Sequence, residues 1–168
     1  ARADVFAHSA TATAEVLAAT AACRRPRWAK LSPNVTDLCA IAAAARDGGA
    51  EAVTVINTVM GMAIDPETRR PRLGHGGGGL SGPAIHPVAV RAVHDVHQGL
   101  PELPIVGVGG VVDAAGAVEL LLAGASAVQV GTATFADPRA PARVLTGLRD
   151  WCRRHQVRAV QDLIGGME

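Results

Sequence analysis

Lysine and asparagine are nearly absent from this chain. Of its sixteen basic residues fifteen are arginine, leaving Lys30 alone, and Asn34 and Asn57 are the only two asparagines. The bias fits GC-rich coding, so a retained lysine points to chemistry that a planar guanidinium does not supply. Charge of one sign is not in excess either: the net charge is +1, which removes any strong pull toward nucleic acid or an anionic membrane. No apolar run reaches the length that spans a bilayer. The three cysteines, Cys23, Cys39 and Cys152, form neither a CxxC pair nor an even disulfide framework, which suits a reducing compartment. No GxxxxGK(S/T) loop occurs, which argues against a nucleoside-triphosphate site. A signal-peptide pattern is missing too, and the chain opens on Ala1 rather than Met.

What is present is an ordinary globular composition. At 168 residues, 49% hydrophobic and 18% charged, the chain is of a size to form one domain with a real core. Its organising stretch runs from Pro104 to Ala133. This predicts a buried strand at Ile105 to Val108, a Gly109-Gly110 turn, a helix from Asp113 to Ala123, and a second buried strand at Ala127 to Val130 closing on Gly131-Thr132. Unalternating apolar runs are the mark of parallel strands covered on both faces. The same reading upstream predicts a helix over Ser9 to Ala22, a short strand at Trp28 to Leu31, a helix from Thr36 or Asp37 to Arg46, and a strand at Ala52 to Ile56. Residues 61–82 are too rich in Pro, Gly and Arg for a simple connection and form a long loop or hairpin insertion around Asp65-Pro66-Glu67. Helices follow from Pro83 or Ala84 to His97 and from Asp137-Pro138 to about His155, with one more short turn in the tail.

Four strands alternating with helices force a parallel sheet. Polar residues and glycines gather at the strands' carboxyl ends, where α/β folds place their sites. Gly109-Gly110 and Gly131-Thr132, with Gly82 as a third approach, make a phosphate cup: one GG pair would be read as a turn, but two neighbouring strands with the same ending favour an anion site. Lys30 at a strand end can stabilise negative charge developing on a ring nitrogen or carbonyl, against the default of a solvated lysine. Asn57 and Thr58 can read a planar polar edge or simply cap a turn. His94 and His97 have metal spacing without a third ligand, so no metal site is assigned. His75 lies in the glycine loop, and His86 reads as a surface residue at a helix start. Cys39 reads as core, and Arg69, Arg70 and Arg72 as a solvated or partner-facing cluster.

With AKLSPNVTD, VINTVMGMAIDPETRRPRLG, GGLSGPAIHPVAVR, PIVGVGGV and ASAVQVGTATFADP in this order, the chain resembles the carboxyl-terminal half of class 1B dihydroorotate dehydrogenase, the FMN-bearing catalytic subunit. The resemblance covers almost everything from Ala12 onward. It implies a cytoplasmic TIM-barrel flavoenzyme that oxidises dihydroorotate to orotate in pyrimidine biosynthesis. By the resemblance, Lys30 contacts the flavin ring and Ile56 packs near it. Gly82, Gly109, Gly110, Gly131 and Thr132 hold the FMN phosphate and ribityl chain, Asn57 and Thr58 bind the orotate ring, and the RRPRLG loop lies near the entrance. A partner subunit carrying FAD and an iron–sulfur cluster passes electrons to NAD in this class.

The departures bear on chemistry. The family's general base is a cysteine in an N-S-C-P-N loop that this sequence lacks, and Cys23, Cys39 and Cys152 match no part of it, so no catalytic residue is assigned. RRPRWAK is more polar than the usual lead into the lysine strand, which weakens the case for that strand's burial. The sequence therefore predicts an α/β chain, residues 1–168 forming a single partial domain, the carboxyl-terminal half of a TIM (β/α)8 barrel. Open edges at Trp28 to Leu31 and Ala127 to Val130 predict association with the missing amino-terminal half or with another copy. The alternatives are another FMN or phosphate-binding barrel enzyme and a non-catalytic half-barrel binding module.

Overall fold

The computed structural model describes residues 5–167. A 3₁₀ turn at Phe6–His8 leads into helix α1, Ala10–Ala19, where the N-cap Ser9 accepts from the Ala12 N–H. Helix α1 stops short of the predicted Ala22, and at its C-cap the Thr20 hydroxyl donates back to the carbonyls of Val16 and Leu17, at 3.1 and 3.0 Å. Strand β1, Trp28–Lys30, precedes helix α2, Leu38–Asp47, whose N-cap Asp37 accepts from Ala40 N–H at 2.9 Å. Strand β2 is Ala52–Val55. An excursion then holds four short strands: β3, Val59–Gly61; β4, Ile64–Asp65; β5, Arg70–Pro71; and β6, Gly78–Leu80. Within it β3 pairs antiparallel with β6, and β4 with β5 around the Asp65-Pro66-Glu67 turn.

The chain returns through a 3₁₀ turn at Pro83–Ile85 into helix α3, His86–Gly99. Strand β7, Ile105–Val108, helix α4, Ala114–Leu122, and strand β8, Ala127–Gln129, follow. The short helix α5, Ala133–Ala136, helix α6, Ala140–Arg154, and a 3₁₀ turn at Val160–Leu163 end the described chain. The main sheet has the order β1-β2-β7-β8, with every neighbouring pair parallel. Parallel neighbours need crossovers, and α2, the excursion with α3, and α4 supply them.

Burial divides the sheet into centre and edges. All four residues of β2 are buried, as are Ile105, Val106 and Gly107 of β7. Helix α3 covers them with Ala89, Val93 and Val96, spaced by three or four residues, and α2 with Ile41, Ala42 and Ala45, each set on one helix face. Each fully buried Val or Ile of this set is worth about 1.5–3 kcal/mol of transfer free energy. The last strand departs from its predicted burial: Ala127 and Gln129 of β8 are exposed and Val128 is half-buried. Trp28 and Lys30 of β1 are exposed in the same way. Both are edge strands, each with a single neighbour in the sheet.

Apolar grooves run along both edges. One, of about 410 Å³, lies between α1 and β1 and is lined by Phe6, Val16, Leu17 and Trp28, with Trp28 58% exposed. The other, of about 280 Å³, lies beside β8 and is lined by Leu121, Val128, Val144 and Leu145. The architecture is an α/β sheet of four parallel strands that does not close, a partial barrel. Among the described residues no helix is long and apolar enough to cross a membrane.

Candidate functional site

The carboxyl ends of the four main strands open onto one cavity of about 140 Å³. Its lining includes Lys30, Ile56, Asn57, Thr58, Gly82, Gly109, Gly110, Gly131 and Thr132, so the residues that the resemblance pairs with cofactor and substrate all border the same space. Ser81, Ile85, Val108, Val111, Val112 and Ala133 complete it. Residues as far apart as Lys30 and Thr132 meet because a parallel sheet puts all its carboxyl ends on one side.

Lys30 closes the β1 end of the cavity. Its ammonium donates to the Ile56 carbonyl oxygen at 2.7 Å, tying β1 to the end of β2. Partial burial lowers its pKa from the ordinary lysine value of 10.5. No carboxylate, imidazole or thiol lines the cavity, so Lys30 is the one titratable side chain bordering it among the described residues.

Asn57 and Thr58 stand at the β2 end. Asn57 accepts through Oδ1 from Thr58 N–H at 2.9 Å, which orders the tip. Thr58 packs directly over Gly79 of β6, where any Cβ would overlap its side chain. Behind them lies Asn34, for which the sequence carried only the signal of rarity. Its Nδ2 donates to the Thr58 carbonyl oxygen at 2.8 Å and its Oδ1 accepts from Met60 N–H at 2.8 Å. One amide thus clamps both sides of Val59 and fixes where Thr58 sits. Ser32, buried beneath, accepts from Asn34 Nδ2 at 3.1 Å and lies 2.9 Å from His8 Nε2.

The glycine end has the geometry of a cradle. Gly109 and Gly110 take φ of +143° and +71°, values that favour glycine, and the N–H groups of Gly110, Gly131 and Thr132 make no hydrogen bond within the described residues. A Cβ built on Gly131 would meet nothing within 4 Å, so the space over it is free for a ligand. Bare N–H groups without a side chain in the way suit a phosphate. The volume is well below the roughly 300 Å³ at which pockets enclose a whole drug-sized ligand. It matches the phosphate end of a nucleotide more closely than a whole one.

Other predicted residues fall elsewhere. Cys23 borders the groove along β1, Cys39 is half-buried on α2 with its thiol pKa raised by burial and by Asp37 and Asp95, and Cys152 is on α6. His75 is exposed, and Arg69, Arg70 and Arg72 are exposed on the excursion. His94 is half-buried, and the ring of His97 packs against Gly124 and Gly165. Among the described residues no group of three His, Cys, Asp or Glu is placed to hold a metal ion. The reading of His86 as a surface residue is wrong: its side chain is 14% exposed, and its Nδ1 lies 2.7 Å from the Gly109 carbonyl oxygen. The 3₁₀ turn at Pro83–Ile85 swings the first residue of α3 inward onto the β7 loop.

Sheet, crossovers and strand-end glycines together define a partial parallel α/β barrel with a glycine-lined cavity at its carboxyl end. Comparison with known proteins gives the family. The dihydroorotate dehydrogenase profile matches residues 3–151, and the chain belongs to that family. It is 50% identical over 152 residues to the dihydroorotate dehydrogenase B (NAD(+)) catalytic subunit of Pelobacter propionicus, a match covering 88% of this chain and 50% of the relative. It is 52% identical over 155 residues to dihydroorotate dehydrogenase A (fumarate) of Lactiplantibacillus plantarum, covering 92% and 50%. The crystal structure of the Eimeria tenella enzyme in complex with ferulenol superposes with a TM-score of 0.70 at 31% identity, covering 84% of this chain and 38% of that one. The chain therefore spans about half the length of the curated relatives it matches.

Proposed function

We propose that this chain is the carboxyl-terminal half of a dihydroorotate dehydrogenase catalytic subunit, contributing the FMN phosphate site and part of the orotate site. The observation that carries the reading is the meeting of Lys30, Asn57 and Thr58 with the glycine cradle around one cavity. In this reading Gly82, Gly109, Gly110, Gly131 and Thr132 hold the phosphate and ribityl chain. Ile56 packs near the flavin ring, and Asn57 and Thr58 bind the substrate ring, a planar imide whose alternating donors and acceptors an amide can match. FMN, when bound, supplies the hydride acceptor. Lys30 fixes a positive charge where its Ile56 bond holds it, so that negative charge developing on the neighbouring ring is met without reorganisation.

Removing a proton from dihydroorotate needs a positioned base, and among the described residues no thiol, imidazole or carboxylate lines the cavity. Such a group is worth about 10²–10⁴ in rate. The chain by itself is therefore a binding half without competent turnover. The two open edges take the amino-terminal half, with a second copy as the other occupant. The parent enzyme is cytoplasmic. Relatives of nearly equal identity are named for NAD(+) and for fumarate, so an FAD and iron–sulfur partner subunit belongs to the first kind of parent.

The test is to titrate the purified chain with FMN and follow dihydroorotate-dependent bleaching of the flavin, alone and mixed with an amino-terminal half carrying the cysteine loop. FMN binding without turnover, and turnover on mixing, support the reading. Turnover by the chain alone at ordinary flavoenzyme rates refutes the missing base, and failure to bind FMN even in the mixture refutes the site.

A further inference from the structure

His86 begins α3, yet its ring is wedged between two other elements. A Cβ on Gly110 would lie 2.7 Å from His86 Cβ and 2.9 Å from its backbone nitrogen, and a Cβ on Gly116 of α4 would lie 3.3 Å from its Cε1 and Nε2. The Nδ1 is 2.7 Å from the Gly109 carbonyl oxygen, and because a carbonyl only accepts, Nδ1 carries the hydrogen. The other ring nitrogen is buried without a hydrogen-bond partner, with the Glu119 carboxylate 3.6 Å away. The ring's single hydrogen bond is thus spent on one peptide group of the glycine turn.

That peptide group is the one whose orientation decides the polarity of the cradle. The peptide unit is planar and trans, so the carbonyl of Gly109 and the N–H of Gly110 point in opposite directions. Gly109 and Gly110 line the cavity and His86 does not. With its carbonyl turned toward His86, the unit directs the Gly110 N–H away from His86, and Gly110 borders the cavity. Two adjacent glycines make the opposite orientation readily accessible. A flipped peptide would present a carbonyl oxygen to an incoming phosphate in place of a donor.

We propose that His86 is a positioning residue for the phosphate cradle: its Nδ1–H holds the Gly109 carbonyl outward and thereby keeps the Gly110 N–H available to a phosphate group. The proposal rests on the reading of the cradle as a phosphate site. A purely structural role would weaken all ligands alike, whereas this role acts on the phosphate alone. FMN and riboflavin differ by that one group, so the ratio of their affinities isolates it.

The experiment measures FMN and riboflavin dissociation constants, by flavin fluorescence, for the chain and for His86→Leu and His86→Asn. Asparagine keeps an N–H donor close to the Nδ1 position, and leucine removes it. A hydrogen bond to a charged group is worth about 1.5–3 kcal/mol, so leucine is expected to cut the preference for FMN over riboflavin about tenfold or more, and asparagine to restore most of it. An unchanged preference in folded His86→Leu overturns the positioning role. A parent chain with no preference for FMN overturns the phosphate reading and this proposal with it, and the two failures are told apart by the parent chain alone. Nitrogen-15 spectra of the His86 ring in the parent chain serve if the leucine variant does not fold: hydrogen on Nδ1 is expected, and a ring carrying it on Nε2 only would overturn the proposal.

Discussion

The Lys30 ammonium donates to the carbonyl oxygen of Ile56 at 2.7 Å, joining the ends of two adjacent parallel strands at the mouth of the cavity. The residue the composition made conspicuous thus has a definite partner, and both ends of that bond border the candidate site.

Replacing Lys30 by Met keeps the stem and removes the charge. The affinity for flavin, followed by fluorescence, is expected to fall by about tenfold, the size of one charged hydrogen bond. The contribution of Lys30 is expected to fade as pH rises, with a midpoint below 10.5, because burial lowers its pKa. Stability carries the opposite sign. Between the folded value and 10.5 the unfolded chain binds more protons at this site than the folded one, so the parent gains stability with rising pH relative to Lys30→Met. Urea unfolding of both chains at neutral and alkaline pH checks it.

Gly131 and Gly109 are expected to respond differently to a side chain. A Cβ on Gly131 meets nothing within 4 Å, so Gly131→Val is expected to leave stability within about 0.5 kcal/mol while blocking flavin binding. A Cβ on Gly109, at φ +143°, would come within 2.6 Å of Ala89 Cβ, so Gly109→Ala is expected to lower the melting temperature as well. Thermal melts paired with FMN titrations separate the two outcomes, and a destabilised Gly131→Val would contradict the open cradle.

Asn34→Leu removes both bonds that clamp Val59. Two backbone groups lose their partners, so a destabilisation of about 1–3 kcal/mol is expected in urea unfolding. Faster hydrogen exchange at Met60 N–H is expected with it. Asn34→Asp keeps an acceptor for Met60 but loses the donor to Thr58, and should preserve the slow exchange at Met60.

Cys23 is exposed, whereas the Cys39 thiol donates to the Asp95 carbonyl oxygen at 3.4 Å and has its pKa raised by burial and then by Asp37 and Asp95. Alkylation at neutral pH is expected to label Cys23 first and Cys39 slowly, with Cys39 gaining rate only above its ordinary value of 9.0. Peptide mass spectrometry over a time course reads the order, and early labelling of Cys39 would contradict its packing.

Much of this protein was legible in the sequence because the signals are local. Apolar runs mark β2 and β7, polar residues at Ser9 and at Thr36 or Asp37 mark helix starts, of which Ser9 and Asp37 form the caps, and glycine pairs show where strands end. Alternation of strand with helix is enough to make the sheet parallel, and parallelism alone gathers Lys30, Asn57, Gly109 and Gly131 at one end. Pairings between distant segments were not legible, because nothing in a residue's neighbours in sequence reports what stands beside it in space. The β3–β6 ribbon, the exposure of β8, the Asn34 clamp and the turn of His86 onto Gly109 are all of that kind. Sequence by itself determined the alternation of the four main strands with helices, the parallel sheet they form and the strand ends that open onto the cavity. Only the tertiary structure decided how the cavity is held, because that depends on which carbonyls and amides are left to be met once the helices have packed.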